Sequence, residues 1–260
     1  VTKNPLLSNV VQILAEGLPQ SPQKSNTRKE FEQVDLGGNI TRNEEGVYIG
    51  SYLNGQKAGQ GKMIYKNGSI YEGGWKNSQA EGKGTMIFSS GNRYDGFWVS
   101  DRKHGAGKYA WIDGQEYEGN YENDLKTGYG VMKYPDGRIY KGNWKNGSKE
   151  GKGIMTYPSG DKYDGGWMHD QKSGTGIYTW NDGQEYEGNF SAGLSSGYGT
   201  IKYRNGEIYQ GEWRNDQREG NGILILPNGD KYEGKWMNDI VQPRVKIEYS
   251  NGEKYEGEID

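Results

Sequence analysis

The sequence predicts an all-β fold: a single-layer solenoid, or meander, of β-hairpins, one per 23-residue unit, preceded by a short N-terminal helix. Three observations carry that reading. The tripeptide Tyr-X-Gly begins at Tyr48, Tyr71, Tyr94, Tyr117, Tyr140, Tyr163, Tyr186, Tyr209, Tyr232 and Tyr255, always 23 residues apart. Within each unit, rings and glycines alternate with period two, the spacing of one face of a strand. The composition is also unusual, with 31% apolar residues, 44 Gly, 21 Tyr and 8 Trp in 260 residues. Aliphatics are too few for an ordinary core built on Leu, Ile and Val. Rings are too many for a disordered chain.

Residues 1–47 precede the repeats. The stretch 4–17, NPLLSNVVQILAEG, reads as an amphipathic helix with Asn4 as N-cap, Pro5 in the first turn and Gly17 as the stop. Leu6, Leu7, Val10, Val11, Leu14 and Leu18 gather on one side. A helix this short is marginal alone, so it is expected to dock on the array's own apolar face, on a partner or on a membrane surface. Residues 19–30 are polar and Pro-containing, a flexible linker. Residues 31–47, with Phe31, Val34 and Leu36, are expected to add a leading strand over the open edge of the first unit.

The array occupies 48–260, as nine full units and the start of a tenth. Each unit is numbered from its tyrosine. Position 1 is Tyr, 3 is Gly and 5 is aromatic, so they share one face, and a mostly acidic position 2 turns to the other. The second half repeats the pattern, with Gly at 14, an apolar residue at 16 and usually a ring at 18. Gly at 12 and 14 is expected to let neighbouring rings lie flat on the backbone. Positions 20–21, such as Asn67-Gly68 and Asp113-Gly114, read as the tight hairpin turn. Positions 7–11 read as a longer polar loop at the opposite edge.

Several function classes fall away. There is no Cys, and so no disulfide, thiolate metal site or cysteine nucleophile. The net charge is −3 and no basic cluster stands out, which argues against nucleic acid. No apolar run approaches the ~18 residues of a membrane span. Val1 opens no recognisable signal peptide, and the absence of Cys fits a reducing, cytoplasmic setting. Carboxylates recur once per unit on the solvent face, whereas a catalytic site is a single asymmetric place. His104 and His169 occupy different positions on the loop edge and read as ordinary exposed histidines. Gly82-Lys83-Gly84 and Gly151-Lys152-Gly153 are not followed by the GK[ST] run of a phosphate loop. The chain therefore reads as non-catalytic, with no catalytic or metal-binding residues and no cofactor.

The segments YEGGWKNSQAEGKGTMIFSSGNR (71–93) and YKGNWKNGSKEGKGIMTYPSGDK (140–162) resemble the MORN (membrane occupation and recognition nexus) repeat. The family pattern reads Tyr-Glu-Gly-x-Trp-x-x-Gly-x-x-x-Gly-x-Gly with an Asp-Gly turn. Two departures stand out. The histidine often found before the position-12 glycine is present only as His104, and the ninth unit carries Pro243 and Val245 in both glycine columns. Residues 232–260 read as a closing cap, since a terminal unit has no onward neighbour, with Glu256, Glu258 and Asp260 discouraging edge pairing. The resemblance implies a scaffold of cytoskeletal or ciliary assemblies, with phospholipid binding or service as the targeting arm of a larger enzyme as alternatives.

A one-layer sheet leaves its ring-lined face uncovered, and large exposed aromatic patches mark contact sites. The expected partner is a protein, docked as a helix or extended peptide in a groove lined by Trp75, Trp98, Trp111, Tyr121, Trp144, Trp167, Trp180, Trp213, Met86, Met132 and Met155. A homodimer through the C-terminal cap is a further expectation. A second period overlies the first: unit 94–116 shares 14 of 23 residues with unit 163–185 but only 8 of 23 with unit 117–139. Past duplication of a 69-residue triplet explains it. A binding rhythm of about 29 Å (six strands), with matched pockets at Trp111 and Trp180, is the sharper reading.

Overall fold

The structure is a computed structural model that describes residues 34–35 and 40–259; the helix expected over 4–17 lies outside them. The described chain forms one open sheet of 21 strands, each antiparallel to the next in chain order, with no helix among the described residues. Two short strands lead it. Ile40–Arg42 pairs with the first strand of unit 48–70, and Val34–Asp35 pairs with Ile40–Arg42. The leading strand is thus split in two, and Phe31 and Leu36 lie outside the described residues.

Each unit is a hairpin of a seven- to eight-residue strand and a nine- to ten-residue strand, Ile139–Lys145 with Ser148–Thr156 for instance. The two turns exchange the roles the sequence suggested. The tight two-residue turn is at positions 7–8, where both residues are left-handed: Asn77 (φ 51) with Ser78 (φ 63), and Asn215 (φ 51) with Asp216 (φ 66). That conformation continues the right-handed strand twist into the hairpin, so positions 9–11 join the strand instead of a loop. At the other edge only Gly at position 21 has positive φ, as at Gly68 (φ 87). Gly68 N–H donates to the Tyr65 carbonyl (2.9 Å), and Tyr65 N–H donates to Ser69 (2.9 Å), which makes a three-residue loop. The Asn or Asp at position 20 accepts the N–H two residues on, as Asn67 does from Ser69 (2.9 Å) and Asp113 from Gln115 (2.9 Å).

The two inner glycine columns also differ in purpose. Between Gly165↔Gly176 and Trp167↔Lys172 the register shifts, so positions 11–13 oppose a single residue. Gly at position 12 supplies the positive φ of this bulge; at Gly174 (φ +69) a β-carbon would meet nothing within 4 Å. Its role is conformational, not the ring bed expected from the sequence. That role falls to positions 3 and 14, where a β-carbon would collide with the position-1 phenol. The core is this bed: Tyr71, Tyr94, Tyr117, Tyr140, Tyr163 and Tyr209 are fully buried against glycine backbone.

The ninth unit shows the dependence from the other side. Val245 fills the position-14 place, and its Cγ1 would stand 3.1 Å from a β-carbon at Gly234. Tyr232 is left half-buried, without the hydroxyl-to-carbonyl bond that Tyr209 makes to Glu212 at 3.1 Å.

Candidate functional site: the aromatic face and its cation row

Positions 1 and 5 interlock along the whole array. Each position-1 tyrosine from Tyr48 to Tyr209 meets its own position-5 ring and that of the next unit edge to face. Tyr140 lies 5.3 Å from Trp144 and 5.2 Å from Trp167, and Tyr163 lies 5.4 Å from Trp167 and 4.9 Å from Phe190. The ladder runs unbroken from Tyr52 to Trp236. Edge-to-face pairs at this spacing add about 0.5–1.5 kcal/mol each beyond area burial. Hydrogen bonds tie the ladder to the strands. Tyr140 donates to Asn143 (2.9 Å), and Trp167 Nε1 donates to the preceding unit's Gly153 carbonyl (2.9 Å).

This packing decides where the groove residues stand. Trp75, Trp98, Tyr121, Trp144, Trp167, Trp213, Met132 and Met155 are buried within the chain's own ladder. Met86, Trp111 and Trp180 are half-buried, as are the other rings of the position-18 row, Tyr65, Phe88, Tyr134, Tyr157 and Tyr203. On this face, accessible aromatic surface therefore lies in the position-18 row and its neighbours, with the position-5 rings as a floor beneath, whereas the more exposed rings Phe97, Tyr129 and Tyr198 stand on the opposite face. Trp111 and Trp180 sit in matched clusters. Phe88–Tyr109 and Tyr109–Trp111 are 5.7 and 4.3 Å apart, and Tyr157–Tyr178 and Tyr178–Trp180 are 6.0 and 4.7 Å apart.

A row of cations crosses the same face, at position 10: Lys57, Lys103, Lys126, Lys149, Lys172 and Arg218. Each lies over rings. Lys126 Nζ is 3.9 Å from the Trp144 ring centre, Lys149 Nζ 4.7 Å from Trp167, Lys172 Nζ 4.8 Å from Tyr178, and the Arg218 guanidinium 4.2 Å from Trp236. Burial pushes the pKa of Lys126, Lys149 and Lys172 below the usual lysine value. The same burial pushes Tyr65, Tyr117 and Tyr178 up to about 12. The sequence does not set this row apart, because positions 7–11 read as a loop. Its signal is present nonetheless, as a basic residue recurring at one position of the 23-residue unit.

The histidines stand apart from the ring ladder. His169 is the first residue of a tight turn (φ 48) and is exposed. His104 is not in a loop but in strand Arg102–Ala110, half-buried, its Nδ1 without a hydrogen-bond partner. No group of three metal-ligating side chains forms among the described residues.

The MORN-repeat family model matches eight consecutive units, residues 48–70, 71–93, 94–116, 117–137, 140–162, 163–185, 186–208 and 209–231. The chain belongs to the MORN-repeat family. The family match stops short of the ninth unit, where Pro243 and Val245 replace the glycines. A search of curated proteins finds no match. Among solved structures, the chain is similar to the Drosophila melanogaster SAS-4 TCP domain in complex with a proline-rich motif of Ana2, at 13% identity and TM-score 0.41, covering 60% of this chain and 85% of that one. It is also similar to the Danio rerio CPAP TCP10 domain in complex with a STIL peptide, at 15% identity and TM-score 0.26, covering 82% and 99%. At these values the likeness carries no functional argument.

Proposed function

We propose that this MORN array is a non-catalytic scaffold that docks a helix or extended peptide of a partner protein along its aromatic face. The observation that supports it most directly is the half-buried position-18 row, over which the described residues lay no second layer. Rings with one side packed and one side wet are the side chains interfaces favour. The site is a repeated surface, suited to an elongated ligand. A place in a cytoskeletal or ciliary assembly belongs to the same proposal and rests on family resemblance alone. The test is cross-linking of the array to a co-purified partner. Contacts at Trp111, Tyr157, Trp180 and their neighbours are expected, and contacts confined to the acidic position-2 face overturn the reading.

A second reading, attachment to anionic phospholipid, draws on the cation row. Flotation with phosphatidylserine vesicles separates the two, since a protein-docking array stays with the soluble fraction.

A further inference from the structure

The cations of the aromatic row are not alike. Those toward its ends are paired: Lys57 with Glu45 (2.6 Å), Lys103 with Asp124 (3.6 Å) and Arg218 with Asp239 (3.1 Å). The three in the middle, Lys126, Lys149 and Lys172, have no carboxylate within 4 Å among the described residues. The sequence accounts for two of the three. The pairing carboxylate of Lys103 and Arg218 comes from position 8 of the following unit, and after Lys126 and Lys172 that place is held by Gly147 and Gly193. After Lys149 it is Asp170, whose Oδ1 accepts the Lys149 backbone N–H (2.9 Å) as Asp124 and Asp239 do for Lys103 and Arg218, but which forms no ion pair with the Lys149 ammonium. Asp170 and Asp216 act on these lysines only at longer range, and Arg138 adds further positive charge near Lys149. None of the three ammonium groups is both sealed from solvent and unpartnered.

We propose that the middle of the aromatic face takes an acidic amphipathic helix of a partner protein, its carboxylates seven residues apart and seated on Lys126, Lys149 and Lys172. This rests on the docking reading above and names the chemistry of the ligand. A half-buried cation without a counter-charge is costly, and an incoming carboxylate relieves that cost. The spacing suits a helix. Successive lysines are two strands apart, about 9.6 Å. Seven residues of helix rise about 10.5 Å and return to the same face. Same-face residues of an extended peptide recur every ~6.6 Å and miss that interval. Apolar residues between the carboxylates meet Tyr134, Tyr157 and Trp180, the half-buried position-18 rings of the same three units.

The test uses the full chain and a labelled three-heptad helical peptide with one Glu per heptad flanked by Leu, read by fluorescence anisotropy. A Glu→Gln version of the peptide is the control. Wild type is expected to bind the Glu peptide about tenfold or more tighter than the Gln peptide. That gap should shrink with added salt and close in Lys126→Met/Lys149→Met/Lys172→Met with the β signal in circular dichroism unchanged. Should the triple variant not fold, Lys126→Met and Lys172→Met singly carry the same comparison. Equal binding of both peptides overturns the inference. Loss of that equal binding in Trp180→Ala then leaves the docking reading standing. No binding of either peptide, with lysine-dependent sedimentation on phosphatidylserine vesicles, overturns the inference in favour of a lipid surface.

Discussion

The phenol of Tyr163 lies across Gly176 of the paired strand. A β-carbon at Gly176 would stand 2.6 Å from the hydroxyl, which donates to the Gly166 carbonyl at 2.9 Å. The neighbouring Gly174 has open space around it and needs glycine only for its φ of +69. Gly176→Ala is therefore expected to displace the ring and cost about 1–3 kcal/mol. Gly174→Ala is expected to cost about 1–2 kcal/mol, from backbone strain alone. Denaturant midpoints measure both. Tyrosinate absorbance distinguishes the mechanisms, because only Gly176→Ala should let the Tyr163 phenol fall back toward its ordinary pKa.

Alkaline pH should dismantle the array through its tyrosines. Burial holds Tyr65, Tyr117 and Tyr178 protonated up to about 12 and raises Tyr71, Tyr94, Tyr140, Tyr163, Tyr186 and Tyr209 as well. An unfolded chain releases these protons near pH 10. Their contribution is thus complete below about pH 10 and is lost as pH climbs through 12. Lys126, Lys149 and Lys172, with lowered pKa values, work in the opposite direction. Their contribution is present above about 10.5, the unfolded value, and is lost as pH falls through the lowered ones. The tyrosines outnumber them. Melting temperature should hold or rise slightly to about pH 10 and then fall, with tyrosinate absorbance appearing together with loss of β structure. Tyrosinate forming near pH 10 on an intact fold contradicts this.

Trp167 and Trp180 separate folding from docking. Trp167 is 5% exposed within the ladder, and Trp180 is half-buried beside Tyr178. Trp167→Ala is expected to cost about 3–5 kcal/mol. Trp111→Ala and Trp180→Ala should cost clearly less, keep the β signal and weaken partner binding. Thermal denaturation beside a pull-down gives both readouts. Full partner binding by the folded Trp111→Ala/Trp180→Ala double variant contradicts the matched-cluster reading.

Lys149→Met keeps the aliphatic stem over Trp167 and removes the charge. A cation over a ring gains about 0.5–2 kcal/mol, and its desolvation offsets a comparable amount. The variant should fall within ~1 kcal/mol of wild type in denaturant unfolding. A larger loss would make this lysine a structural element.

Much of this architecture is legible in the sequence because each unit repeats the same physical problem. Tyr at 1, Gly at 3 and 14 and a ring at 5 specify strand faces and register, and the positive-φ demand at Gly68 and its equivalents marks a turn. Which turn is tight is not legible, because Asn67-Gly68 has the composition of a two-residue hairpin while Asn77-Ser78 lacks glycine and still adopts it. The site was legible only in part. Period-two reasoning assigns Trp144 and Trp167 to the aromatic face but says nothing of how deeply neighbouring units bury them. Lys126, Lys149 and Lys172 are not legible as part of the face because lysine in a polar stretch is ordinarily solvated, and it is the continuation of the strand through positions 9–11 that sets position 10 on the same face as positions 5 and 14, over the rings.

The docking face is tested most directly by photo-crosslinking a co-purified partner from two positions, Tyr157 on the aromatic face and Tyr198, 60% exposed, on the opposite one. Crosslinks from 157 and none from 198 are the expected result. Crosslinks from 198 alone would contradict the account.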